Sequence, residues 1–278
     1  MTMLGSSLRA KRSNPEAPPH GRTTLVLASC ALLFANVAVA AEIPADQRRS
    51  GYEDMSSDSK AMQDDDTVNP ATLWVNDGEA LWTAKAGASG QACADCHGEA
   101  EASMKGVAAR YPAFDAATGK PVDLEGRIRH CREERQKAPA LAFESHDLLA
   151  LTAYVARQSR GMPIVAGEDP RLTPFVAAGR NLFEQRQGQL NLSCAQCHDD
   201  NWGRRLAGAA IPQAHPTGYP IYRLEWQTLG SLSRRLRNCI VGMRAEAYAY
   251  GVDDYVALEL FLMQRARGMA IESPGVRP

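Results

Sequence analysis

The sequence predicts an all-α fold built from two tandem, internally repeated domains. A five-residue motif occurs twice, further matches follow it in the same order in both copies, and the apolar residues of each copy recur at helical spacing. CADCH at 93–97 returns as CAQCH at 194–198, an offset of 101. Tyr111-Pro112 returns as Tyr219-Pro220, and GRIRHC (126–131) as RRLRNC (234–239), both at an offset of 108. DLLALTAYVARQSRGMPI (147–164) returns as DYVALELFLMQRARGMAI (254–271) at 107. Self-similarity at a nearly constant spacing marks a duplicated unit. Leu148, Leu151 and Val155 in one copy, and Val256, Leu260 and Met263 in the other, lie on single helical faces. Residues 78–86 and 179–187 read as short helices ahead of each five-residue motif, and no segment alternates as a strand would.

The chain opens on a different kind of segment. Arg9, Lys11, Arg12 and Arg22 precede the apolar run 23–40, which ends in Ala38-Val39-Ala40. A basic region, an apolar region and a small-x-small box make a secretory signal peptide, so residues 1–40 are expected to be cleaved and the mature protein exported to the periplasm. The run is almost long enough to span a bilayer, which leaves an uncleaved anchor as the alternative. Leu27-Ala28-Ser29-Cys30 also resembles a lipoprotein box, but the residues after Cys30 remain apolar. The net charge of −1 becomes −4 without residues 1–40, with 27 basic against 31 acidic residues. Neither value points to nucleic acid. Residues 41–70 are polar and acidic and read as an extended lead-in. The first domain is then expected over 71–168 and the second over 169–278, with the break at Glu168-Asp169-Pro170.

Cys93, Cys96 and His97, and again Cys194, Cys197 and His198, have the C-x-x-C-H spacing of covalent haem c attachment. Two thiols one helical turn apart can form thioethers with haem vinyl groups, and the adjacent imidazole can bind iron. A zinc site or a redox dithiol would need no histidine at that position. The opposite axial ligand is less determined. Met162 follows His97 by 65 residues and Met269 follows His198 by 71. The duplication also keeps one cysteine per copy, Cys131 at 34 residues after His97 and Cys239 at 41 after His198. These cysteines can be thiolate ligands, a mutual disulfide or inert core residues. Their register with the haem motifs favours ligation.

The two cysteines sit in different sequence surroundings. Residues 123–135 carry four acids and four arginines, whereas 231–244 carry Arg234, Arg235, Arg237 and Arg244 with no acid. On a helix, Arg235 shares a face with Cys239 at i−4. Guanidinium groups bind oxyanions bidentately, so sulfur beside arginine suggests a site for a small sulfur oxyanion. His130, His146 and His215 have no partner motif.

The lead-in at 50–82, both C-x-x-C-H motifs and RRLRNCIVGMR at 234–244 together resemble the SoxA family. Its members are cytochrome subunits of SoxAX complexes, which act as L-cysteine S-thiosulfotransferases; some have lost the first haem, and this chain, keeping all the ligands, resembles the dihaem type. The resemblance covers most of the chain after residue 40. It implies two haem c groups, with Cys93 and Cys96 holding the first and Cys194 and Cys197 the second. It implies His97 and Cys131 as axial ligands of one iron, and His198 and Cys239 of the other. It further implies Cys239 as the catalytic cysteine and Arg235 as a substrate-binding residue. Expected partners are a SoxX-type monohaem subunit, the SoxYZ carrier protein, thiosulfate and a cytochrome c electron acceptor. A plain dihaem electron carrier with His/Met ligation is the alternative function, and a dihaem peroxidase a second.

Overall fold

The computed structural model describes residues 43–278. The expected signal peptide and the Cys30 lipoprotein box therefore lie outside the described residues. Helix α1 (Ser57–Asp64) comes first, followed by α2 (Thr72–Thr83), α3 (Cys93–His97) and α4 (Ala100–Ser103). A hairpin of β1 (Ala113–Asp115) and β2 (Lys120–Val122) leads into α5 (Leu124–Glu134) and α6 (His146–Arg157). The series then repeats as α7 (Thr173–Glu184), α8 (Cys194–His198), a small ribbon of β3 (Arg205–Leu206) and β4 (Ala209–Ala210), and the hairpin of β5 (Ile221–Arg223) and β6 (Thr228–Gly230). Helices α9 (Leu232–Gly242) and α10 (Asp253–Arg265) follow, and β7 (Gly275–Arg277) closes the chain by pairing in parallel with β5.

The architecture is mainly helical, with short ribbons that the sequence reading does not anticipate. At two or three residues each, these strands are too short to show a period of two. The helices read at 78–86 and 179–187 begin earlier and stop at Thr83 and Glu184. Gly87 and Gly188 then take the left-handed region, at φ 62° and 68°, where a side chain would run into the backbone of 136–138 or 243–245. The lead-in is likewise more ordered than expected. Ser56 Oγ accepts from Ser59 N and starts α1, and Gln213 grips Gln47 and Arg49 through its side-chain amide.

The halves match at the level of hydrogen bonds. Both hairpins have the same register, Ala113 opposite Val122 and Ile221 opposite Gly230. Each hairpin delivers a cap: Asp123 Oδ1 accepts from Gly126 N and starts α5, and Ser231 Oγ accepts from Arg234 N and starts α9. In both halves the long helices cross at a glycine, α2 on α6 at Gly78 and α7 on α10 at Gly179. Pro163 pairs antiparallel with Ala270, its own counterpart at offset 107. The flanking bonds come in equivalent pairs, Gly161 N to Ile271 O with Gly268 N to Ile164 O, and Ile164 N to Met269 O with Ile271 N to Met162 O. A local two-fold axis therefore runs through this seam, and the described residues belong to one compact unit.

Candidate functional site

Helices α3 and α8 each make a single turn that presents a histidine beside a cysteine. In α3, Ala92 N donates to Asp95 Oδ2 at 2.8 Å. In α8 the bond is reciprocated: Ser193 N donates to Gln196 Oε1 at 2.9 Å and Gln196 N to Ser193 Oγ at 3.3 Å. This capping box satisfies donors that a short helix leaves bare. Aromatic rings back both histidines, Trp82 at 5.7 Å from His97 and Phe183 at 6.4 Å from His198.

Two cavities open beside these turns. The first, of about 540 Å³, is walled by Cys93, Cys96 and His97 from α3 and by Cys131 from α5. The second, of about 500 Å³, is walled by His198 from α8 and by Arg235 and Cys239 from α9. Unlike Cys93 and Cys96 in the first half, Cys194 and Cys197 do not wall their cavity. Burial, and then the Cys239 sulfur nearby, push the Cys194 thiol up to about 12 and raise Cys197 as well. All six cysteines of the two halves are free thiols, and Cys131 and Cys239 belong to different cavities. A disulfide between them is thereby set aside. Met162 and Met269 lie in the seam and wall neither cavity.

The donor set fits a haem c. Each half offers two thiols one turn apart, an imidazole, a further sulfur and a pocket of cofactor size. His198 is already oriented for a metal: Nδ1 donates to Pro212 O at 2.6 Å, which leaves the Nε2 lone pair for a ligand bond. Burial pushes this imidazole down to about 4, so it is neutral at physiological pH.

The basic field is assembled differently from the sequence expectation. Arg234 lies over the Trp226 ring at 4.4 Å and 3.8 Å from Glu144 Oε2, and Arg237 lies over Tyr250 at 4.6 Å. Of the four arginines at 231–244, Arg235 alone walls the cavity. Its companions come from elsewhere in the chain: Arg205 from β3, Arg223 from β5 and Arg277 from β7. Asp54 of the lead-in also reaches the wall, paired with Arg49 at 3.0 Å. A window of fourteen residues cannot register groups that only folding brings together.

His215, dismissed on sequence, walls the same cavity. Its Nδ1 bonds Arg49 O at 2.9 Å, and burial pushes the ring down to about 4. A histidine held neutral in the fold but titrating near 6.5 when unfolded adds stability that is complete above about pH 6.5. That stability is lost as pH falls toward 4. Thermal melts from pH 7 to 4 are expected to show a steeper decline for the native chain than for His215→Gln. Equal slopes would contradict the assignment.

Among the described residues, no helix is long and apolar enough to cross a membrane. Residues 77–164 and 178–271 match the family description SoxA/TsdA, cytochrome c domain. The L-cysteine S-thiosulfotransferase subunit SoxA of Pseudaminobacter salicylatoxidans is 35% identical over 235 residues, covering 84% of this chain and 82% of that protein. The protein of the same name from Rhodovulum sulfidophilum is also 35% identical, covering 84% and 81%. The crystal structure of SoxXA from P. pantotrophus superposes with a TM-score of 0.80 at 32% identity, covering 83% of this chain and 87% of that one.

Proposed function

Because the chain belongs to the SoxA/TsdA cytochrome c family, we propose that it is the SoxA-type subunit of an L-cysteine S-thiosulfotransferase. It couples thiosulfate oxidatively to a cysteine of a SoxYZ-type carrier. One observation carries the reading: Cys239, Arg235 and His198 meet at a single cavity with a basic wall. Arginines wall the first cavity too, and the repeated methionines Met162 and Met269 wall neither, the methionines on the walls being Met104 and Met55 at non-equivalent places in the two halves.

The family implies haem c, and two groups are proposed here. Cys93 and Cys96 would hold the first covalently, with His97 and Cys131 as its iron ligands. Cys194 and Cys197 would hold the second, with His198 and Cys239 as its iron ligands. Bound haem supplies one-electron acceptance, which lets a two-electron sulfur oxidation proceed in steps. The repeated register supports an origin of 71–168 and 169–278 by duplication of one cytochrome c-like domain. A SoxX-type monohaem subunit is the proposed partner for electron exit to a cytochrome c, and the expected signal peptide supports a periplasmic location.

The overall change joins thiosulfate and a carrier thiol through a new sulfur–sulfur bond, releasing one proton and two electrons. Arg235 holds the sulfonate end, leaving the outer sulfur of thiosulfate beside Cys239 Sγ. Pro212 O, by holding Nδ1–H, keeps the His198 tautomer fixed throughout. Loss of two electrons to the cytochrome acceptor joins the outer sulfur of thiosulfate to Cys239 Sγ; the carrier thiolate then attacks that outer sulfur, breaking its bond to Sγ and releasing the Cys239 thiolate, as in thiol–disulfide exchange.

Arg235→Ala is expected to raise KM for thiosulfate roughly tenfold or more, since a charged hydrogen bond contributes about 1.5–3 kcal/mol. Lysine at the same position restores only part, because it cannot bind two oxygens in a plane. The check is a conjugation assay with intact complex and carrier, with the visible spectrum as a control for haem retention. An unchanged KM, or loss of the haem bands, counts against substrate binding by Arg235.

A further inference from the structure

The repeat permits a position-by-position comparison of the two cavities, and one position reverses its charge. Arg127 and Arg235 are counterparts at offset 108, each four residues before its cysteine and each on the wall of its own cavity. In the first half Arg127 Nη2 donates to Asp115 Oδ1 at 3.1 Å. Asp115 ends strand β1, opposite Lys120. The residue at the same register in the second half ends β5, opposite Thr228, and it is Arg223.

The first arginine is therefore neutralised by its hairpin, while the second meets another positive charge from the same place. Arg223 joins Arg235, Tyr219 and Cys239 on the cavity wall. Burial lowers the Arg223 guanidinium and the charge of Arg235 lowers it further, so the two cations are close enough to act on each other. Placing like charges together in a half-buried wall is unfavourable unless an anion lies between them. Arg223 has two partners: the Glu225 carboxylate holds Nη2 at 2.9 Å from an exposed position off the wall, and Pro278 O, on the wall, accepts from Nε at 2.9 Å and Nη2 at 2.7 Å. The hydrogen bonds to Glu225 and to Pro278 O use Arg223 Nε and Nη2, which leaves the Nη1 donors to face a ligand.

We propose that Arg223 is the second half of a two-guanidinium clamp for the sulfonate group of a thiosulfate-like dianion in the second cavity, at a register where the first half has Asp115 instead. The clamp rests on the thiosulfotransferase reading above and adds a residue that reading does not contain. Two forks can engage the three sulfonate oxygens together, whereas Arg235 alone reaches two. In the first half the counterpart of Arg223 is Asp115, which lies off the cavity wall and holds Arg127, so no second guanidinium arrives from that register.

The test uses the haem-loaded complex with its partner subunit, carrier protein and thiosulfate, comparing Arg223→Lys, Arg223→Gln and Arg223→Asp. Conjugation by the native complex tests the underlying reading by itself. Given that activity, KM for thiosulfate is expected to rise about tenfold in Arg223→Gln, more in Arg223→Asp and less in Arg223→Lys. The kcat and the reduction potential of the second haem should move little. Inorganic sulfate, as a competitor, should lose potency in the same order. An unchanged KM with an altered haem potential would assign Arg223 to the haem carboxylates and overturn the clamp. Should Arg223→Asp fail to fold, Arg223→Gln and Arg223→Lys still decide between these outcomes.

Discussion

Cys239→Met is expected to raise the reduction potential of the second haem by some tenths of a volt while leaving both haems attached. Cysteine thiolate donates charge to iron and favours its ferric state, whereas a neutral thioether favours the ferrous state. Axial-ligand choice spans roughly 0.8 V across haem proteins, so replacing an anionic ligand moves the potential by a large part of that range. Attachment should survive because Cys194 and Cys197 are separate from the substituted side chain. Cys131→Met provides the matched control and should shift the first haem alone, since Cys131 and Cys239 belong to different cavities. Spectroelectrochemical titration of the two variants, with EPR of the ferric forms, makes the comparison. A potential that stays in place in Cys239→Met would mean that this sulfur does not touch iron, and the proposed chemistry at Cys239 would go with it.

What the sequence reveals here depends on how far apart the cooperating atoms lie along the chain. Covalent haem attachment demands two thiols and an imidazole within five residues, so the motifs at 93–97 and 194–198 are legible without a structure. Arg235 and Cys239 are legible for the same reason, being one helical turn apart. The field around Cys239 is not, because it is set by hairpins and by the lead-in. Glu144 folds back onto Arg234, and Arg223 arrives from β5. Both are separated from Cys239 by chain that a local charge window omits. Asp115 and Arg223 become comparable only when β1 and β5 are seen to share a register, and strands of three residues leave no periodic trace. His215 looks unremarkable in sequence because its partner is a backbone carbonyl, at Arg49, and carbonyls have no residue signature.

The packing that supports the second site makes a second large prediction. Gly179→Ala adds one methyl group to α7, and helix propensity taken alone would make it stabilising by up to about 1 kcal/mol. The crossing with α10 reverses the sign. A Cβ at Gly179 would lie 2.0 Å from Ala257 O, 2.7 Å from its carbonyl carbon and 2.8 Å from Phe261 Cβ. Two of these are backbone atoms inside a helix, so they cannot rotate aside; α7 and α10 must separate. Overpacking of this kind costs about 1–3 kcal/mol and sometimes more, and the upper end applies where backbone meets backbone. A loss of about 2–3 kcal/mol lowers Tm by roughly 5–10 °C for a chain of this size. The displacement reaches the site because Phe183, one helical turn beyond Gly179, packs at 5.3 Å against Phe261 and at 6.4 Å against His198. Thermal melting of the haem-loaded protein should therefore show the lowered Tm together with a perturbed spectrum of the second haem. A Tm equal to or above that of the native protein would mean that the two helices are free to part, and that the glycine is not what sets their approach.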